Sequence, residues 1–456
     1  MPVELTEEAL LDALAMAGEW DPGGAQSAQA ALEWMGWEGE GPLFLRRYDV
    51  QLFVWYTLPR KFLTSLERKR ETADALARTL ELFGGRAASY AAVCRAPETE
   101  ELLRAWEDED GSAWHQFHAL LKRSGLEPPD TDLLGWGRVM GFAEACARNQ
   151  VATALEQAIE TRVLSPGARD FGRRQMEIAN DALRRPLDGG DGISRIAAIQ
   201  AERLEHYLTR GSTRGGDERR AILEPIAGMI AAEPPAVDPN AAREAAAPAL
   251  WLLELGIEGI PLTQAGALSR ALVREATERW PRWWNAEIHG PPHRETDVCL
   301  LHQLHGQLRH LRLLRRRGRR LMTTGRGRKL LADPAALLAA IASDLLTGED
   351  FRFACTELAA ALLLAGFPAD WSEPLAERIQ MAIAAEGWQS FGQPPGVRDI
   401  SWEIGDFLRA GRAFGLLERE DDSVFSRDPL VPTGAGRAAL ITAFRARALG
   451  PRNGPY

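Results

Sequence analysis

The chain has 456 residues, with 54 Lys and Arg against 64 Asp and Glu, a formal net charge of −10, and 45% hydrophobic and 26% charged residues. This composition excludes wholesale disorder, and the length exceeds what one hydrophobic core serves, so several cores are expected. The acidic balance also excludes a general nucleic-acid coat, because most of the surface repels phosphate.

The first twenty residues, MPVELTEEALLDALAMAGEW, are acidic and amphipathic. They lack the basic start and apolar run of a secretory signal, so a cytoplasmic location is expected. The longest apolar stretch, around residues 358–365, is far shorter than the roughly 20 residues that cross a bilayer as a helix, so no membrane partner is expected. Ala, Leu, Glu and Arg dominate, with apolar residues at three- and four-residue spacing, and the chain reads as mainly α. Over residues 72–83, for example, Leu76, Leu80 and Phe83 share a face that Asp74, Arg78 and Glu81 avoid. Residues 43–55 are dense in aromatics and read as a core element.

Pro and Gly clusters at 21–24, 127–130, 185–190, 211–217 and 233–240 mark loops. The expected organisation is an N-terminal helical domain at 1–165, a helical linker domain at 166–256, a basic module at 257–346 and a C-terminal module with an acidic hairpin at 347–456. The four cysteines, Cys94, Cys146, Cys299 and Cys355, form no CxxC pair and are expected as buried thiols without disulfide or zinc.

One segment reverses the global polarity. Residues 309–329 hold nine arginines and one lysine and no acid. Between 258 and 329 there are fifteen Lys and Arg against six Asp and Glu, an excess of nine, which leaves −19 for the rest of the chain. Steering of an anion therefore has to come from this one place.

The segment belongs to a pattern that occurs twice. In the first copy Leu300, Leu301, Leu304, Leu308 and Leu311 trace an amphipathic helix. A basic stretch with Gly318 at its centre suits a hairpin, and Thr324 suits an N-cap for a further helix. In the second copy Ile404, Phe407 and Leu408 trace the helix, a stretch with Glu418, Glu420, Asp421 and Asp422 suits the hairpin, and Thr433 repeats the cap. Both copies carry T-G-x-G-R-x-x-L.

Helix, two-stranded wing and a Thr-Gly-started helix together resemble the C-terminal half of winged-helix domains. Residues 260–268 with Trp280, Trp283 and Trp284 also resemble uncharacterised proteins of high-GC bacteria, a likeness that supplies no activity. The winged-helix resemblance implies a mainly α, multi-domain helical protein with two winged-helix-like modules carrying short β-hairpins. In that family the helix before the wing usually enters the major groove and the wing touches phosphate. Carried onto this chain, His302, Arg309 and Arg312 face the groove and Arg315, Arg316, Arg317, Arg319 and Arg320 form the wing. Arg326, Arg328 and Lys329 follow at the start of the next helix, where free N–H groups suit a phosphate. The chain departs from the pattern in the long 280–295 connection and in the acidic second hairpin, which suits a protein contact better than phosphate.

Five of the eight histidines, His289, His293, His302, His305 and His310, lie within twenty-two residues of each other. No HExxH or CxxC accompanies them, and the following arginines repel a cation, so no metal is expected. Trp280, Trp283 and Trp284 among Arg279 and Arg282 could stack unpaired bases, but are expected rather to anchor the long loop. Neither a Walker loop nor GxGxxG nor G-x-S-x-G occurs. The reading is a non-enzymatic, cofactor-free protein whose first module contacts nucleic acid. A protein-interaction scaffold or homo-oligomer using the same basic patch, and an enzyme with a dispersed site between helical domains, are the alternatives.

Overall fold

The computed structural model of the chain describes residues 2–108, 111–187, 192–210, 216–390, 392–419 and 428–453. The protein is mainly α-helical and multi-domain. Its strands are short and form two two-stranded sheets and one three-stranded sheet among the described residues. Contact density divides the chain into two compact units, Met1–Ile199 with Pro451–Pro455, and Gln200–Gly450. Among the described residues no helix is long and apolar enough to cross a membrane.

In the N-terminal unit, β1 (Val3–Leu5) pairs antiparallel with β2 (Leu43–Leu45). The aromatic-rich segment continues into a helix at Arg47–Leu52 and a π-helical turn at Phe53–Thr57. Tyr48, Phe53 and Trp55 are buried there with Leu76 and Leu80 of the Leu66–Leu82 helix. The Trp55 indole N–H donates to Thr99 Oγ1 at 2.8 Å, and that hydroxyl donates to the Val93 carbonyl at 2.7 Å. Burial of the ring therefore leaves no orphan donor.

The second unit has one continuous core running from Tyr207 and Ile222 through Leu301 and Leu358 to Phe444. Helices before the Pro-rich 233–240 segment thus share a core with those after it. The first repeat copy comprises α1 (Ala247–Glu258), β3 (Ile260–Pro261), α2 (Arg270–Arg279), α3 (Cys299–His310), β4 (Leu314–Arg317), β5 (Arg320–Thr323) and α4 (Gly325–Leu331). Its antiparallel sheet has the order β3-β5-β4, with Ile260 and Arg316 both opposite Leu321. Gly318, at φ +62°, makes the turn between β4 and β5. Pro261, which has no N–H to give a ladder, sits on the edge strand β3.

The second copy comprises α5 (Phe351–Leu364), α6 (Ser372–Ala385), α7 (Val397–Ala413), β6 (Leu417–Arg419), β7 (Leu430–Pro432) and α8 (Gly434–Ala448). Where β3 pairs with β5 in the first copy, the second has, among the described residues, a backbone bond from the Leu430 N–H to the Ala369 carbonyl at 2.9 Å. Glu420, Asp421 and Asp422 of the acidic hairpin lie outside the described residues.

The two copies close their hairpin corners with the same bonds. After α3 the Leu313 N–H reaches back to the Leu308 carbonyl at 2.9 Å, and after α7 the Leu416 N–H reaches the Gly411 carbonyl at 2.8 Å. The Thr324 hydroxyl donates to the Arg312 carbonyl (2.8 Å) and accepts from the Gly327 N–H (3.1 Å). The Thr433 hydroxyl donates to the Gly415 carbonyl (2.8 Å) and accepts from the Gly436 N–H (2.8 Å). Each motif therefore needs its second glycine: a Cβ on Gly327 would lie 2.4 Å from the Leu313 oxygen, and one on Gly436 2.1 Å from the Leu416 oxygen.

A buried ionic cluster ties the early helices of this unit to the second copy. Glu357 on α5 is fully buried, and its Oε2 meets Arg219 Nη2 at 2.7 Å and Arg210 Nη2 at 3.1 Å. Both arginines also hold Glu386, at 3.2 and 2.9 Å. The Tyr207 hydroxyl donates to Glu357, and Arg447, stacked 3.9 Å over Phe353, forms a looser ion pair with it at 3.4 Å.

The cysteine expectation needs correction. Cys94 and Cys355 are buried, but Cys146 is half-buried and Cys299 exposed, because Cys299 opens α3 on its solvent side. Burial pushes the Cys94 thiol up to about 12.

Candidate functional site

Helical spacing divides α3 into two faces. Leu300, Leu301, Leu304 and Leu308 are buried, while Cys299, His302, Gly306, Arg309 and His310 form an exposed stripe with half-buried Gln303. At the centre of this stripe Gly306 has open space where a Cβ would be, so a partner can approach the helix backbone closely. Pattern alone did not single out Gln303 or Gly306. Their signal is the three- and four-residue spacing from His302 to Arg309.

The hairpin rises beside this stripe. Between them lies a concave cleft of about 660 Å³ lined by Gly306, Arg309, His310, Arg312, Leu314, Arg315, Arg316 and Thr324. Four of the expected arginines are thus brought to one hollow. Arg317 and Arg319 are exposed at the hairpin tip, and Arg326, Arg328 and Lys329 are exposed on α4, outside the lining. No acidic residue among the described residues forms an ion pair with any of the ten cations at 309–329.

Two expected contacts serve the fold. The Arg320 guanidinium donates to the carbonyls of Glu258 (3.0 Å) and Gly259 (2.8 Å), covering acceptors left free at the end of α1. Arg326 donates to the Leu311 carbonyl at 3.3 Å. Arg316 Nε bonds the Gly318 carbonyl at 2.9 Å, which holds the hairpin turn but leaves the side chain exposed.

His302 is held from below. Its Nδ1 lies 3.2 Å from Glu295 Oε1, which also meets Nδ1 of buried His305 at 2.8 Å, while Glu295 Oε2 accepts the Leu268 N–H at 2.7 Å. Burial pushes the Glu295 carboxyl upward, but the bonds from His305, Leu268 and His302 outweigh it and hold the group below the usual carboxylate range. Glu295 so fastens α3 to the start of α2. No group of three metal-ligating side chains occurs among the described residues.

Trp280, Trp283 and Trp284 pack half-buried against the core. The Trp284 indole donates to the Gly290 carbonyl at 2.7 Å, and Trp280 meets Trp251 edge-on at 5.2 Å. The long connection from α2 to α3 is thereby fixed.

Arg312 closes α3 at φ +57°, where the second copy has Gly415 at φ +65°. A side chain in this left-handed conformation costs about 1–2 kcal/mol that glycine avoids. Arg312→Gly is expected to raise stability by about 0.5–1 kcal/mol after allowance for the freer unfolded chain, read in urea melts. If the guanidinium serves the cleft, the same variant loses affinity for whatever binds there. A stabilised variant with unchanged binding would remove Arg312 from the site.

No solved structure matches the chain. Residues 249–336, which span most of the first copy, match the family model of the Y4jL N-terminal domain. The chain is 38% identical over 92 residues to the uncharacterized protein y4jL of Sinorhizobium fredii. That similarity covers 19% of this chain and 42% of the relative, so the likeness is one of a module.

Proposed function

We propose that the segment from α1 to α4 is a winged-helix module that binds nucleic acid, with the β4–β5 hairpin as its wing and α3 as the helix presented to a groove. The carrying observation is the cleft between α3 and the hairpin, lined by Arg309, Arg312, Arg315 and Arg316 without an acidic partner among the described residues. The strand order β3-β5-β4 and the succession helix, strand, helix, helix, strand, strand support the same reading. Arginine suits the task because its planar fork pairs two phosphate or base acceptors at once. A concave site concentrates the field of clustered charges, whereas the acidic remainder of the chain keeps nucleic acid from other surfaces. Phosphate contacts by the wing then supply most of the affinity and α3 the orientation.

The second copy does not duplicate this surface. Glu418 stands in its hairpin where Arg315 stands in the first, and Gly415 replaces Arg312. Its role in this reading is to brace the first module.

Fluorescence anisotropy of the whole chain with duplex and with single-stranded DNA, at 50 and 200 mM salt, tests the proposal. Duplex binding is expected that weakens steeply with salt, by about 0.9 in log–log slope for each phosphate neutralised. An absence of binding to either DNA at 50 mM salt overturns it. So does preferential displacement of duplex by poly-glutamate, which would mark an acidic protein as the partner.

A further inference from the structure

The helix of the second copy that corresponds to α3 carries a different surface. The shared corner bonds, Leu313 to Leu308 and Leu416 to Gly411, put Trp402 of α7 where α3 has Cys299. Trp402 is 73% exposed. The Ser372 and Ser401 hydroxyls, 2.7 Å apart, join the start of α6 to α7, which brings Trp371, 57% exposed, to the same end of the helix pair. Large apolar side chains left in water at one place mark an interaction surface.

The charges around Trp402 say what fits it. Helical spacing puts Arg398, Trp402, Gly405, Asp406 and Arg409 on one stripe of α7 that solvent reaches. Arg398, one turn before the ring, is exposed and forms no ion pair among the described residues. Asp406, one turn after it, pairs with Arg409 of the same helix, both side chains being more than two-fifths exposed. Surface pairs of this kind are weak, and a carboxylate accepts from a second guanidinium through its remaining lone pairs. A cation on one side of an exposed ring and an anion on the other make a surface complementary to itself. A two-fold axis through Trp402 lays two α7 helices antiparallel, so that Arg398 of each chain meets Asp406 of the other and the two indoles cover one another. Gly405 leaves the helices room to approach, since a Cβ there would meet the mobile end of Arg409 at 3.3 Å.

We propose that this face of α7 is the contact between two copies of the chain. The inference does not depend on what the first module binds, and its test contains no DNA. Sedimentation velocity of the full chain between about 1 and about 100 µM is expected to show a monomer–dimer equilibrium. Trp402→Ser removes an exposed ring and should keep its melting temperature while raising the dimer Kd about 30-fold or more. Arg398→Asp sets two acids against each other across the axis and should weaken the dimer about tenfold. An acid in the first turn of α7 suits the helix dipole, so this variant should fold normally. Asp406→Arg should weaken the dimer similarly. Mixed together, the two charge variants should associate as the native chain does, because the mixed dimer regains both opposite-sign pairs. A chain that stays monomeric at about 100 µM leaves the face to a different protein and overturns the proposal. A dimer indifferent to Trp402→Ser, or charge variants that do not rescue each other on mixing, also overturns it.

Discussion

Replacing Arg315, Arg316 and Arg317 together with alanine is expected to weaken duplex DNA binding and to flatten its dependence on salt by about 2.7 in log–log slope, about 0.9 for each phosphate no longer neutralised. Over the fourfold salt range from 50 to 200 mM, the native chain should then lose about 40 times more affinity than the variant. The three side chains are exposed on β4 and none forms an ion pair among the described residues, so beyond the exposed Arg316–Gly318 bond nothing is lost and stability should fall by no more than about 1 kcal/mol. Restoring lysine at the three positions returns the charge but not the planar fork. The salt slope should recover, while any part of the affinity that rests on bidentate geometry should not. Arg320→Ala makes the contrasting control. Its guanidinium caps the Glu258 and Gly259 carbonyls, so its loss should appear in the melt more than in the slope. An unchanged slope in the triple variant would remove the hairpin from the DNA interface, whatever the remaining affinity.

The corners of both copies were legible because their chemistry is local. A threonine followed by two glycines predicts an N-cap and a close backbone approach, and Thr324–Gly327 and Thr433–Gly436 make the same bonds in the fold. Exposure of the arginine run was legible for a similar reason: residues 315–317 and 319–320 contain no apolar side chain to bury. What could not be read depends on partners distant in sequence. Strand β3 is two residues long and contains a proline, so no period-two signal announces it, yet it completes the sheet with β5. With β3 comes the end of α1, and hence the structural duty of Arg320. Nor does any local pattern tell that Trp280 and Trp283 face a hollow of the second copy. Periodicity assigns a residue to a face of its own helix but does not say what that face meets.

Glu357 illustrates that limit and carries the largest expected effect on stability. It interrupts an Ala- and Leu-rich helix in which every residue from Phe353 to Leu364 is buried, and nothing nearby in sequence neutralises it. Its partners come from residues 207, 210, 219 and 447. Glu357→Gln keeps the shape and the Tyr207 hydrogen bond but removes the charge, leaving fully buried Arg219 with Glu386 as its remaining counter-ion. Breaking such a pair costs about 3–5 kcal/mol, and for a unit of this size the melting temperature should fall by on the order of 10 °C. The pH dependence gives an independent check. Burial pushes the Glu357 carboxyl upward, but Arg219, Arg210 and Arg447 together outweigh burial and hold it below the usual carboxylate range. A folded-state value below the unfolded one means that the contribution is fully present above the ordinary glutamate range, at about pH 4.3 and higher, and is lost as pH falls through the lower folded value. Native and Glu357→Gln melts should therefore differ most near neutral pH and converge on acidification. A gap of constant size down to pH 3, or a variant as stable as the native chain at pH 7, would show that the cluster contributes no net ionic stabilisation to the joint between the early helices of this unit and the second copy.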